Sequence, residues 1–258
     1  MQVGLIGLGA IGLGVVRLAR SRPADGVHVI AALVRDRDRT RPGGLPVAVF
    51  SLDELLALSP DVVLDAAGHA ALREYGPTVA AAGVDLIVIS VGALADDELL
   101  AELRTRAKTG GSHVRVASGA IAGLDALSAA ALGGLDRVTH TVRKPARALL
   151  GDGAAGMTEA RELYRGTARD GVARFPESAN VVAAVSLAGI GFDRTEMTVV
   201  ADPQATRNVH VVTADGAFGS LRIEIQNVPT EENPRTARLT AMSVYRALLD
   251  RDLWVRIG

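Results

Sequence analysis

The opening stretch "MQVGLIGLGAIG" constrains the fold more than any other part of the chain. "VGLIG" (3–7) reads as a buried strand, and "GLGAIG" (7–12) matches GxGxxG directly after it, opening a helix from Ala10 to about Arg20. Gly7 permits a tight turn, Gly9 lets the backbone approach a pyrophosphate, and Gly12 allows close packing of helix on strand. A dinucleotide's phosphates would then lie on free N–H groups of the first turn, at Ala10, Ile11 and Gly12. In a chain with 28 glycines the pattern alone is weak, and a loop without ligand would show it too. Its place after the first strand of a strand–helix series gives it weight.

That series continues through the first 120 residues. "VHVIAALV" (27–34), "VAVF" (47–50), "DVVLDAA" (61–67), "DLIVISV" (85–91) and "HVRVAS" (113–118) read as strands separated by helices, one of them N-capped by Ser51 with Glu54 three residues on. Strands that are nearly all apolar are buried on both faces, as in a parallel, doubly wound sheet.

After "SGAIAG" (118–123) the strands alternate: "RVTHTVR" (137–143), "EMTVVA" (196–201), "NVHVVTA" (208–214) and "SLRIEIQNV" (220–228). In the last, Leu221, Ile223 and Ile225 oppose Arg222, Glu224 and Gln226, the pattern of a sheet with one buried and one open face. Helical stretches at about 155–165 and 178–188 are expected over the buried face, and a final helix at 235–250 is expected to return to the first domain. The expected fold is therefore α/β: an N-terminal Rossmann-type doubly wound parallel sheet plus a second α+β domain with an open-faced, mainly antiparallel sheet. The first domain would comprise residues 1–119 joined by a C-terminal helix within 229–258. Residues 120–228 would form a substrate, catalytic and oligomerisation domain. A homodimer is the commonest outcome on symmetry grounds.

Composition removes several kinds of chemistry. With no cysteine, the chain has no disulfide, thiolate nucleophile or usual structural zinc site. Five scattered histidines show neither HxxxH nor HExxH spacing, so no metal is expected. Lys108 and Lys144 are the only lysines, which disfavours Schiff-base chemistry. A net charge of −1 gives no field to recruit nucleic acid or an anionic membrane. No basic, cleavable leader and no apolar run of membrane-spanning length is visible, so a soluble cytoplasmic protein is expected.

The second strand runs into "ALVRDRDR", with Arg35 where an acidic residue would hold the ribose of NAD. Arg35 could accept a 2′-phosphate, so NADP is expected as well as, or instead of, NAD; a solvated turn would read the same. An enzyme that moves a hydride from an alcohol or amine must also move a proton, and histidine titrates in the useful range. His28 and His113 begin strands, far from the nicotinamide end. His140 alternates with Val138 and Val142 as a packed strand residue. His69 follows Ala67 at the C-terminal end of the fourth strand, where open α/β sheets place ligands. In "RNVH", alternation assigns Val209 and Val211 to the core face and leaves Asn208 and His210 together on the other. Spacing alone leaves His210 and His69 as the two candidates.

Longer stretches then carry a resemblance. "AGHAALREYGP" (67–77), "VISVGALAD" (88–96), "SGAIAGLDAL" (118–127), "RKP" (143–145), "RFPESANVVAAVSLAGIG" (174–191) and "DRTEMTVVADPQATRNVH" (193–210) together resemble the L-aspartate dehydrogenase family through almost the whole chain. The resemblance implies NAD(P)-dependent oxidative deamination of L-aspartate to iminosuccinate, which hydrolyses to oxaloacetate and ammonia or feeds NAD biosynthesis. It implies His210 as the catalytic residue and Ala120 and Asn180 as cofactor contacts. Substrate carboxylates need fixed donors; Arg143, Lys144 and Arg207 are the candidates, with Asn208 in support. The chain departs from the family pattern at Ala117, where a Pro is expected, and in "ARALL" (146–150), where a second Pro and a Trp are expected. Two other readings stand beside this one. One is a dehydrogenase or reductase of a related amino or keto acid, such as the dihydrodipicolinate reductases, whose paired His-His motif is missing here. The other is a non-catalytic NAD(P)-binding sensor.

Overall fold

Residues 1–37, 45–233, 236–251 and 255 of the computed structural model are described here. Six strands, β1 (Gln2–Ile6), β2 (His28–Leu33), β3 (Val47–Val49), β4 (Val62–Asp65), β5 (Asp85–Val88) and β6 (Val114–Val116), form one sheet in the order β3-β2-β1-β4-β5-β6. Every pairing in it is parallel. This is the doubly wound order, with its reversal point between β1 and β4. The apolar runs of β1, β4 and β5 form its centre: Val3, Leu5, Val63, Leu64 and Leu86 are inaccessible to solvent.

This unit includes helices α1 (Ala10–Ser21), α2 (Leu52–Ala57), α3 (His69–Ala81) and α4 (Asp97–Gly110). Ser51 caps α2 as its spacing predicts. Its Oγ accepts from the Glu54 N–H at 3.2 Å, while Glu54 Oε2 accepts from the Phe50 N–H at 2.8 Å.

The chain forms two compact units, residues 1–119 with the segment from Thr240, and residues 120–239. The second unit contains α5 (Leu124–Gly133), β7 (Leu135–Pro145), α6 (Ala146–Leu150), β8 (Arg161–Thr167), α7 (Ala168–Arg174), α8 (Ala179–Ala188), β9 (Glu196–Asp202), β10 (Asn208–Gly216) and β11 (Gly219–Asn227). Its five strands are ordered β11-β10-β7-β9-β8; β7 and β9 run parallel and the other three pairings are antiparallel. One face is covered: Leu127 and Ala130 of α5 and Val181 and Val185 of α8 pack with Val138, Val212 and Ala214.

The helix expected at 155–165 is not there. Residues 161–167 instead form β8, an edge strand antiparallel to β9, with a register shift between Glu162 and Tyr164. "RELYR" consists of good helix formers, but β9 presents unpaired backbone groups at the edge, and pairing with them overrides local preference. Tyr164 anchors the strand, with its ring 5.7 Å from that of Phe175 and its hydroxyl donating to Thr167 O at 2.7 Å.

The last helix, α9 (Arg238–Leu249), enters the first unit's core from Thr240 onward, later in the chain than the residue 229 expected. Ala241, Val244 and Leu248 pack there with Val15, Val16, Val3 and Leu64. The expected ranges 235–250 and 229–258 include residues 234–235, 252–254 and 256–258, which lie outside the described residues.

Candidate functional site

At the C-terminal edge of the first sheet, β1 turns into α1 through Gly7, whose φ is +95°. A Cβ there would lie 2.9 Å from Ala66 O and from Ala67 Cβ, so only glycine fits between this turn and the end of β4. At Gly12 an added Cβ would meet Gly7 O at 2.6 Å, which is how closely α1 approaches the loop. At Gly9, by contrast, an added Cβ would meet nothing within 4 Å. Gly9 caps α1 without a side-chain hydrogen bond, and the first turn carries no acidic residue. The first backbone bond back into the helix comes from Leu13 N–H to Gly9 O at 2.8 Å, so the N–H groups of Ala10, Ile11 and Gly12 precede it. An open approach beside Gly9, uncapped donors and no competing carboxylate fit a pyrophosphate.

Around this loop, Ala67 is exposed and His69 is half-buried as the first residue of α3, both just beyond the end of β4. Asp65 ends β4 fully buried; its Oδ2 accepts from the Ser90 N–H at 3.0 Å, tying β4 to the segment after β5. Burial pushes its carboxyl up, against the pull of its hydrogen bonds to Ser90. Arg35 is exposed just beyond β2, within electrostatic reach of Tyr75 in α3. Two residues on, the Arg37 guanidinium stacks 4.5 Å over the Phe50 ring.

On the second unit, the expected facing of β10 is inverted. His210, Val212 and Ala214 point to the helix-covered side, and Val209 and Val211 lie half-exposed on the open side. Alternation fixes that Asn208 and His210 share a face; which face is covered depends on where α5 and α8 pack. The register pairs His210 with Val142 of β7 and Ile225 of β11, and Val212 with His140. Val138, His140, Val142 and Lys144 therefore form one buried row beside His210.

Within that row His140 Nε2 and His210 Nδ1 are 3.0 Å apart, and the rings meet edge to edge with centroids at 5.3 Å and 15° between planes. Lys144 is 7% exposed, and its Nζ donates to Glu177 O at 3.2 Å. Burial, reinforced by the Lys144 charge, lowers the His210 imidazole to about 4. The same burial, with His210 and Lys144 beside it, pushes His140 well below its ordinary value. The result is a neutral imidazole pair beside a buried cation.

The expected substrate donors are divided between the faces. Lys144 and Asn208 share the face of His210. Arg143 points to the opposite, open face, where its Nη1 donates to Asp202 Oδ2 at 2.8 Å. Arg207 is exposed just before β10. Ala120 accepts at its carbonyl from Asn227 Nδ2 at 2.9 Å, and Asn180 is exposed in the first turn of α8. Two residues emerge that sequence reasoning missed. Asn227 is buried and holds the Ala120 loop, and its register partner across β11–β10 is Asn208. Ser178 precedes Asn180, and its Oγ is buried without a hydrogen-bond partner among the described residues. Only strand pairing brings Asn227 to Asn208, but "ESAN" did contain Ser178.

The comparisons with known proteins agree with the fold of the two units. Residues 125–251 match the family model described as aspartate dehydrogenase, C-terminal, and residues 7–117 match that described as homoserine dehydrogenase, NAD binding domain. The chain is 41% identical to the L-aspartate dehydrogenase of Cupriavidus necator, over 97% of each chain. It is 42% identical to that of Ruegeria pomeroyi, over 99% of this chain and 94% of the relative. The crystal structure of aspartate dehydrogenase from Thermotoga maritima superposes with a TM-score of 0.82 at 27% identity, covering 100% of this chain and 99% of that one.

Proposed function

This chain belongs to the aspartate dehydrogenase family, and from that premise we propose that it oxidises L-aspartate with NAD or NADP. The products are iminosuccinate, the reduced cofactor and a proton, and His210 moves the proton. The Gly7–Gly12 loop holds the pyrophosphate, Arg35 selects at the ribose, and Ala67, His69, Ala120 and Asn180 are carried as further cofactor contacts. When bound, the nicotinamide supplies the acceptor for the hydride that leaves the substrate Cα.

The observation that carries this reading is His210: an almost fully buried, neutral imidazole beside a buried lysine and an asparagine on one sheet face. Neutral His210 takes the proton from the substrate ammonium, or from water attacking the imine, and returns it in the reverse direction. Lys144 and Asn208 receive a substrate carboxylate, with Arg207 as a further donor. An imidazole at about 4 is a feeble base at neutral pH. A carboxylate docking on Lys144 offsets the charge that repels a proton, raising His210 into a working range when substrate is present. Arg143, on the other face and paired with Asp202, takes no part.

The iminosuccinate either hydrolyses to oxaloacetate and ammonia or passes to NAD biosynthesis. The open sheet face presents Val209, Val211, Thr213, Thr139 and Thr141, small β-branched side chains suited to a second copy in a homodimer. The test is oxidation of NADH and NADPH in the presence of oxaloacetate and high ammonium at alkaline pH. A decline that needs both oxaloacetate and ammonium supports the proposal. A decline without ammonium makes the chain a keto-acid reductase, and none despite proven cofactor binding makes it a sensor.

A further inference from the structure

The His140–His210 contact has a consequence that depends on the direction of its hydrogen bond. With 3.0 Å between His140 Nε2 and His210 Nδ1, a neutral pair holds one proton between them. If His140 donates, His210 must carry its own proton on Nε2 and has no lone pair left for substrate. If His210 donates from Nδ1, its Nε2 is a free lone pair, and the bond survives when His210 becomes an imidazolium. We propose that His140 is a positioning residue that accepts at Nε2 from the His210 Nδ1–H, fixing His210 in the tautomer that can take the substrate's proton. This rests on the reading of His210 as the proton-transfer residue.

Two observations support that arrangement. First, His140 is 0% exposed whereas His210 retains 5%, so the proton from outside arrives at His210 and His140 stays behind as a neutral acceptor. Second, the two rings meet edge to edge and nearly in plane, Nε2 to Nδ1, so a flip of the His210 ring would carry its Nδ1 away from His140 and break the bond. In this tautomer His140 carries its own proton on Nδ1, which is buried without a hydrogen-bond partner among the described residues. That orphaned N–H is a cost of the arrangement, of the kind that sites carrying function retain.

The groups facing the pair explain why His140 stays neutral. β7 contributes Lys144 and Val142, β9 contributes Met197 and Val199, and β11 contributes Ile225 and Asn227. From α5 and α8 the cluster on this face receives Leu127, Val181 and Val185. Among the described residues, Lys144 is the one charge acting on both rings, and it opposes protonation of either.

The test combines a spectroscopic and a kinetic readout on the full chain. Long-range ¹⁵N–¹H NMR of histidine-labelled protein at pH 8, with His210 assigned by loss of its signals in His210→Gln, reads which nitrogen carries the proton. A protonated Nδ1 and bare Nε2 on His210 are expected. His140→Phe keeps an aromatic ring at this position but removes the acceptor. His140→Gln places an amide oxygen near the Nε2 position. In His140→Phe, His210 should shift toward the Nε2–H tautomer, and kcat should fall about 10- to 100-fold with cofactor KM unchanged. The acid-side pKa of kcat/KM should move down, because an acceptor that stabilised the imidazolium is gone. His140→Gln should recover the wild-type tautomer and most of kcat. A wild-type His210 protonated on Nε2, or a His140→Phe enzyme with unchanged kcat and pH profile, overturns the proposal. The tautomer is read without turnover, so a chain inactive on aspartate would defeat the proposed function and leave this measurement able to decide on its own.

Discussion

Acidification from pH 7.5 to 5.0 should weaken the fold through the buried imidazoles. His210 titrates at about 4 in the folded chain, against 6.5 for an ordinary histidine. Well above 6.5 it is neutral in both states and adds no pH dependence. Between 6.5 and 4 the unfolded chain binds a proton that the folded chain refuses, so stability falls as pH falls through this window. At pH 5.0 the linkage relation gives a loss of about 2 kcal/mol from His210 alone. His140 is depressed in the same direction and adds to the loss. Against a typical total of about 5–15 kcal/mol, this is a large fraction for one side chain. The assay is urea unfolding followed by circular dichroism at both pH values, for the wild type and for His210→Gln. The exposed histidines are common to both proteins and cancel in the comparison. The wild type should lose about 2 kcal/mol more than the variant over this range. Equal losses would refute the reasoning, because His210 would then titrate alike in the folded and unfolded chains.

Other expectations follow from the same geometry. His210→Ala should lower kcat by about 10²- to 10⁴-fold while leaving NADH binding, measured by fluorescence titration, close to wild type. Gly7→Ala places a Cβ 2.9 Å from the Ala66 carbonyl at a φ of +95°, and should lower stability by about 1–3 kcal/mol in thermal unfolding. Arg35→Ser should raise KM for NADPH about tenfold and leave KM for NADH unchanged if Arg35 holds a 2′-phosphate, roughly the value of one charge-assisted hydrogen bond. Arg143→Ala breaks an ion pair with Asp202 on the open face, and should leave KM for aspartate within about twofold, since Arg143 points away from the face that carries His210 and Lys144.

The doubly wound sheet was legible from the sequence because its signals are local. Leu5, Leu64 and Leu86 belong to uninterrupted apolar runs that only a two-sided sheet can bury, and the positive φ of Gly7 is required by a turn only a few residues long. The Ser51 and Glu54 capping pair was readable for the same reason, since both partners lie within one turn. The phase of β10 was equally local: residues 208 and 210 share a face under any packing. What alternation could not decide was which face is covered, because Val209 and His210 are exchanged by turning the strand over. Helices α5 and α8 settled that by packing on the His210 side, where valine alone would have argued for the other. Likewise "RELYR" favours helix in isolation and becomes β8 only because β9 offers an edge. His140, 70 residues from His210, was readable as a packed strand residue, but not as its partner. Spacing along the chain does not encode the register of β7 against β10. That register brings two imidazoles and a lysine into one buried row, and burial there sets the protonation state on which the proposed chemistry depends.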